Sequence, residues 1–145
     1  MKLTKIHEDD RGTISLLTED MKWDEVTIFH TKAGRARGGC IHNINDEFNS
    51  IIEGEIIYKV GKQTYHLKTG DSCFIPAGKP HYFMSITDSI VLEWGATPAE
   101  KKEKHKEFRL VVDQINQTVG DETYNKELKA TIDDIKKADN NDTTI

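Results

Sequence analysis

From residue 14 to residue 94 the apolar positions fall in short runs, broken at intervals by Gly, Pro, Asn and Asp. Short β-branched and aromatic runs with such punctuation predict strands at 14–17, 26–31, 37–42, 48–53, 55–60, 63–67, 72–75, 81–86 and 90–94. Only Gly61 and Lys62 separate two of these runs, which is the spacing of a tight hairpin. Thr69-Gly70-Asp71 marks a second turn. Pro76 and Pro80 bracket a third, because proline has no N–H to give to a ladder. No helical period intervenes, so residues 1–98 read as one all-β unit, a sandwich or barrel.

The pattern changes after Pro98. Lys101, Lys102, Lys104, Lys106 and Arg109 are interleaved with Glu100, Glu103 and Glu107, and Pro98 stands where a helix can begin. This predicts a helix over 99–110, in a segment 99–113 that packs Phe108 and Leu110 on the β-unit and turns its charges to solvent. A basic lid over a ligand is the other reading of the same charges. Residues 114–145 carry seven acids against four lysines. Within them Tyr124, Leu128, Ile132 and Ile135 recur at helical intervals, a narrow stripe that needs a partner surface. The last stretch, 138–145, reads as a frayed tail.

Composition narrows the class. The chain has 145 residues, one domain's worth, with 36% apolar and 31% charged residues. Mean hydropathy is −0.62, and no apolar run approaches the ~18 residues of a membrane span. The start, MKLTKIHEDD, has no apolar core of a secretory signal. A net charge of −5 argues against general nucleic-acid binding. Two cysteines, Cys40 and Cys73, are too few for a disulfide framework. The expectation is a cytoplasmic protein whose partner is a small molecule, with no nucleic acid and no membrane.

The chemistry concentrates in two segments, 38–54 and 70–83. Residues i and i+2 of a strand share a face, so Cys40 and His42 point the same way. Glu47 follows a loop signal at 43–46 and can enter from a neighbouring strand, and His81 arrives just after the proline-rich turn. A barrel interior can bring the four together. Sulfur, imidazole and carboxylate donors suit transition metals better than magnesium or calcium. Cys40 is either a ligand or a small buried hydrophobe. His7, His66 and His105 stand in surface-type sequence, and His30 ends an apolar run. None of these has ligand spacing.

These segments resemble the two motifs of the cupin superfamily. In the first, G-x5-H-x-H-x3–4-E-x6-G, Gly34, His42, Glu47 and Gly54 match, with Cys40 in place of the first histidine. In the second, G-x5-P-x-G-x2-H-x3-N, Gly70, Pro76, Gly78 and His81 match, and Ser85 replaces the asparagine. The resemblance implies a single-domain, jelly-roll type β-barrel with one or two C-terminal α-helices, and a homodimer. It also implies one divalent transition metal (Zn, Fe, Ni, Mn or Cu) held by Cys40, His42, Glu47 and His81. Asn49 and Ile51 share the face of Glu47, and Phe83 and Ser85 that of His81, so these positions line a pocket or pack the core.

A second resemblance, to the sugar-nucleotide epimerases and ketoisomerases among cupins, lies in Asp10-Arg11-Gly12 and in Arg37-Gly38. It implies that Arg37 contacts a phosphate or sugar; strand parity makes Asn49 and Phe83 the further substrate-binding candidates. Three functions are compatible with these residues. One is a metal-dependent isomerase, epimerase or dioxygenase acting on a small polar metabolite such as a carbohydrate or sugar derivative, with Glu47 leaving the metal to act as a base. Another is a metal-independent sugar-nucleotide isomerase with His42 as the base. The third is a module that binds a sugar or metal without turnover.

Overall fold

The computed structural model describes residues 4–16, 26–97 and 100–118. The stripe of Tyr124, Leu128, Ile132 and Ile135 and the tail 138–145 lie outside the described residues. Ten strands come first: β1 (Thr4–Asp9), β2 (Gly12–Leu16), β3 (Val26–Thr31), β4 (Ala36–Cys40), β5 (Glu47–Glu53), β6 (Glu55–Val60), β7 (Gln63–Lys68), β8 (Ser72–Ile75), β9 (His81–Ser85) and β10 (Ser89–Trp94). A 3-10 turn (Glu100–Lys102) and helix α1 (Lys106–Thr118) follow. β1 is not legible as a strand in the sequence, since TKIHED is mostly polar and exposed. It is held by pairing with β2 across the turn at Asp10 and Arg11.

The strands form two antiparallel sheets, in the orders β1-β2-β3-β10-β5-β8 and β4-β9-β6-β7. The inner faces pack together as a jelly roll. Among the described residues the two sheets share no ladder, so the expected jelly-roll barrel is present but not strictly closed. One core joins Ile51, Cys73, Ile75 and Val91 of the larger sheet to Ile56, Tyr58, Val60 and Phe83 of the smaller one. β6 is nearly continuous in apolar residues because both its faces are covered. Its Ile57, with Ala36 and Met84, packs outward against Val112 and Ile115 of α1.

The helix differs from the expected 99–110. Residues 100–102 form a single 3-10 turn, and the next residues run extended along β4. Ile41 N–H donates to the Glu103 carbonyl at 3.2 Å, and His105 N–H to the Gly39 carbonyl at 2.8 Å. Two features delay the helix. The His105 ring nitrogen Nδ1 accepts from Phe108 N–H at 3.4 Å, in the manner of an N-cap. The charged run 100–104 also carries no apolar stripe to bury. Leu110 is 55% exposed, so Val112 and Ile115 anchor the helix instead, while Phe108 stands edge-on to Tyr82. No helix among the described residues is long and apolar enough to cross a membrane.

Gly38 and Gly39 fit the helix to the sheet. Both have positive φ, 99° and 76°, and the β4–β9 register shifts between Gly38 and Cys40. A Cβ on Gly39 would lie 2.7 Å from Arg109 Cα, so α1 rests directly on this backbone. Gly39→Ala combines left-handed strain with that clash. It is expected to cost about 1–3 kcal/mol, read as a lower urea midpoint, and to raise amide exchange in α1.

Candidate functional site

His42, Glu47 and His81 converge between the sheets, with one ligand atom from each lying within 4.8 Å of the others. All three are buried, Glu47 completely. Each arrives by a different route. His42 follows β4, Glu47 opens β5, and His81 opens β9 after the turn containing Pro76 and Pro80. The Gly78 N–H donates to the His42 carbonyl at 2.6 Å, so the turn that delivers one imidazole also holds the other.

The geometry leaves several polar atoms of the three residues without a well-aligned hydrogen bond. His42 Nδ1 lies 2.9 Å from Glu47 Oε2, yet these atoms have no hydrogen-bond partner, and neither does His42 Nε2. His81 Nδ1 lies 3.1 Å from the Lys79 carbonyl. A carbonyl only accepts, so Nδ1 carries the proton and the lone pair of Nε2 is free. That atom stands 3.6 Å from Glu47 Oε1. Backbone orientation of this kind is how metal-binding histidines are commonly fixed. Asn49 Nδ2 donates to Glu47 Oε1 at 3.0 Å and holds the carboxylate from behind. Orphaned nitrogens, a fixed tautomer and a two-imidazole, one-carboxylate set fit a divalent transition metal.

The electrostatics agree with this division. Burial and the nearby His42 push His81 down, against Glu47 and the Lys79 carbonyl, so its ring is neutral at neutral pH. Burial opposes ionisation of Glu47, but the two histidines and Asn49 outweigh it and hold the carboxyl below its ordinary value. Burial likewise opposes a charge on His42, but Cys40, Glu47 and Glu93 together raise it to about 9, so this ring carries a proton at neutral pH that a bound metal would displace. Burial and the Glu47 charge raise Glu93 to about 8, against the pull of Lys101, whose Nζ lies 2.9 Å away.

A cavity of about 290 Å³ opens over His42 and His81. Phe29, Tyr58 and Phe83 form its apolar wall. Among the predicted site residues, Cys40, Arg37 and Phe83 also line it. Cys40 lies outside the converging ligand group, with Lys104 Nζ 3.7 Å from its Sγ. Arg37 is 3% exposed and donates to Thr31 Oγ1 at 2.8 Å and to the His30 carbonyl at 3.2 Å. Asn49 supports Glu47 and does not line the cavity. Arg35, by contrast, ties the Asn116 carbonyl of α1 to Asp10.

The sequence reading missed Glu93, and it put Lys101 and Lys104 on a solvated helix, with a basic lid over a ligand as its other reading. Glu93 shares the inward parity of Val91, and an acid at such a position is a signal that the sequence did offer. The lysines depend on where the extended strap 100–105 runs. Glu100 pins that strap: its carboxylate accepts from Ile44 N–H at 3.0 Å, from Asn45 N–H at 2.8 Å and from Thr97 N–H at 2.9 Å. The Asn45 side chain leads the causes that hold the Glu100 carboxyl far below its ordinary 4.5. A depressed carboxyl stabilises the fold above its unfolded value, and the contribution is lost as pH falls through the folded value. Glu100→Gln is expected to cost roughly 1–2 kcal/mol at pH 7. In urea titrations at stepped pH, its deficit should shrink progressively below pH 4.5.

Comparison with known proteins follows this geometry. The Cupin domain family matches residues 27–97. The chain is 36% identical over 64 residues to the HTH-type transcriptional regulator PuuR of Escherichia coli (strain K12), covering 43% of this chain and 35% of that protein. The chain thus spans about a third of the length of the curated relatives it matches. Among solved structures it resembles the capsular polysaccharide assembling protein CapF from Staphylococcus aureus. The TM-score is 0.59 at 18% identity, over 66% of this chain and 29% of that one. It also resembles KdgF from Halomonas sp., with a TM-score of 0.56 at 13% identity, over 66% of this chain and 86% of that one. At these identities the structural likenesses show the fold.

Proposed function

We propose that this chain, which belongs to the cupin superfamily, holds one divalent transition metal on His42, Glu47 and His81 and acts on a small sugar derivative in the cavity above. The convergence of three buried ligand atoms within 4.8 Å carries this reading. The sugar class rests on the cavity lining. Phe29, Tyr58 and Phe83 offer apolar faces to a ring, while Arg37, Lys101 and Lys104 offer donors to its oxygens. CapF is by name a capsular polysaccharide assembling protein, and its likeness supports the fold that houses such a cavity.

When bound, the metal would supply Lewis-acid polarisation of a ligand oxygen. This chain's own groups do the rest. The Lys79 carbonyl keeps the His81 Nε2 lone pair directed inward, and Asn49 keeps Glu47 Oε1 from swinging away. Glu93 lines the cavity and holds its proton up to about pH 8, which makes its carboxyl a proton donor near neutrality. Lys101 fixes that carboxyl from the strap side. The apolar wall limits water around the ligand. Isomerisation or epimerisation next to a carbonyl is the chemistry these groups support best.

A second reading is ligand binding without turnover, favoured by the 36% identity to a transcriptional regulator. Plasma mass spectrometry of untagged, chelator-free protein tests the metal. Near-stoichiometric metal is expected in the parent and in Cys40→Ser, with a loss of at least tenfold in affinity in His42→Ala and His81→Ala. A parent that stays empty after reconstitution with zinc, iron, nickel, manganese and copper overturns the metal centre. Deuterium exchange at a sugar carbon, run across aldoses, ketoses and uronates, separates the two readings. Incorporation marks an enzyme, and saturable binding without incorporation marks a binding module.

A further inference from the structure

The strap that follows the cupin domain changes the charge of the cavity. Family similarity ends at residue 97, and three cationic lining residues, Lys101, Lys104 and Arg109, come after it. With Arg11 and Arg37 they make five cationic side chains around a cavity lined by one acid, Glu93. A chain with net charge −5 has thus gathered positive charge at one concave site.

Three of these cations already have a carboxyl group as partner. Arg11 bonds Asp9, Lys101 lies 2.9 Å from Glu93, and Arg109 lies 2.9 Å from Asp113. Arg37 and Lys104 have no carboxylate partner among the described residues. Arg37 is 3% exposed, its guanidinium carbon stands 5.8 Å from the centroid of the Phe29 ring, and its Nη1 has no hydrogen-bond partner. Burial and the nearby Arg11 lower Arg37 to about 10, against the attraction of Asp9, so it remains charged at neutral pH. Lys104 is bridged to Cys40 by backbone pairing, and its Nζ lies 3.7 Å from the Cys40 thiol. A buried guanidinium with an idle donor is costly until a counter-anion enters, and Lys104, exposed to solvent yet lining the same cavity, can meet that anion.

We propose that the ligand of this cavity is an anion, whose carboxylate or phosphate group is received by Arg37 and Lys104. This rests on the reading of the cavity as the ligand site and narrows its sugar derivative to a sugar acid or sugar phosphate. The strap sets that preference, because Lys104 reaches the cavity only where residues 103–105 run along β4. Arg37 supplies a planar fork suited to an oxyanion, and Lys104 supplies a point charge at the strap side.

The test uses metal-free protein in excess chelator, with inorganic phosphate, acetate and chloride compared at equal ionic strength by thermal unfolding. Phosphate or acetate should raise the midpoint above chloride in a saturable way. Lys104→Gln should weaken the apparent affinity at least threefold, Arg37→Met should abolish the effect, and Lys62→Gln on the β6–β7 turn should leave it intact. If Arg37→Met does not fold, Lys104→Gln still decides. Oxyanions that stabilise no more than chloride, or equally in the parent and Lys104→Gln, overturn the inference. Because metal is absent, the outcome is independent of the metal centre. Metal-binding protein without an oxyanion effect keeps the metal centre and removes the anion subsite, and an oxyanion effect in protein that takes up no metal does the reverse. A larger effect of phosphate than of acetate assigns the ligand as a sugar phosphate, and the reverse assigns a sugar acid.

Discussion

A carboxylate with no exposed surface stands between the two sheets, and the site is organised around Glu47. Ionised in such surroundings, it needs compensating partners, because an isolated buried charge costs several kcal/mol. Its oxygens face His42 Nδ1 at 2.9 Å, His81 Nε2 at 3.6 Å and Asn49 Nδ2 at 3.0 Å. The two histidines sit at or near a strand end, where the backbone can bend to aim them, and Asn49 lies two residues along β5 from Glu47 itself. The proline-rich turn before β9, the loop before β5 and the end of β4 are therefore fixed relative to one another by one charge. Glu93 pays for the arrangement, since Glu47 and burial together keep a proton on its carboxyl to about pH 8.

The second constraint is the glycine pair in β4. Strand alternation puts Arg37 and Cys40 on opposite faces. The register shift at Gly38-Gly39 cancels that alternation, so Arg37, Cys40 and His42 all border the cavity. The same missing Cβ lets Arg109 approach the backbone and seats α1 on the outer face of β4 and β9. One local irregularity thus supplies a cation to the inside and a docking surface to the outside. A regular strand could do only one of these.

The hairpins, turns and motif residues were legible because they depend on local chemistry. Gly61-Lys62 reads as a turn, Pro76 and Pro80 stop pairing, and His42, Glu47 and His81 stand at spacings that a jelly roll brings together. Two features were not legible for a common reason. The bulge that redirects Arg37 and the extended path of 103–105 are set by contacts distant in sequence, whereas Asn49 was legible as a neighbour of Glu47 on one strand face. Charge alternation in 100–109 suits a helix by propensity, yet Glu100 finds Asn45 and Thr97, and residues 103–105 find β4. Tertiary hydrogen bonds outweigh a propensity worth a few tenths of a kcal/mol per residue. Glu93 was legible in principle, as an acid on the inward parity of a strand.

The cavity therefore has two parts with different origins. The paired motifs build a floor of two imidazoles with the Glu47 carboxylate buried behind them, a set that many ligands can share. The strap adds cationic groups on one side, and Glu100 fixes their position through loop 43–46. Chemistry at the floor and selectivity at the wall can then change separately: a residue altered in 100–105 changes the field at the mouth while the three converging donors stay where the β-strands put them. The separation is not complete, because Lys101 also touches Glu93, and Glu93 feels Glu47. Through that chain of charges, the strap tunes the proton that the floor has available.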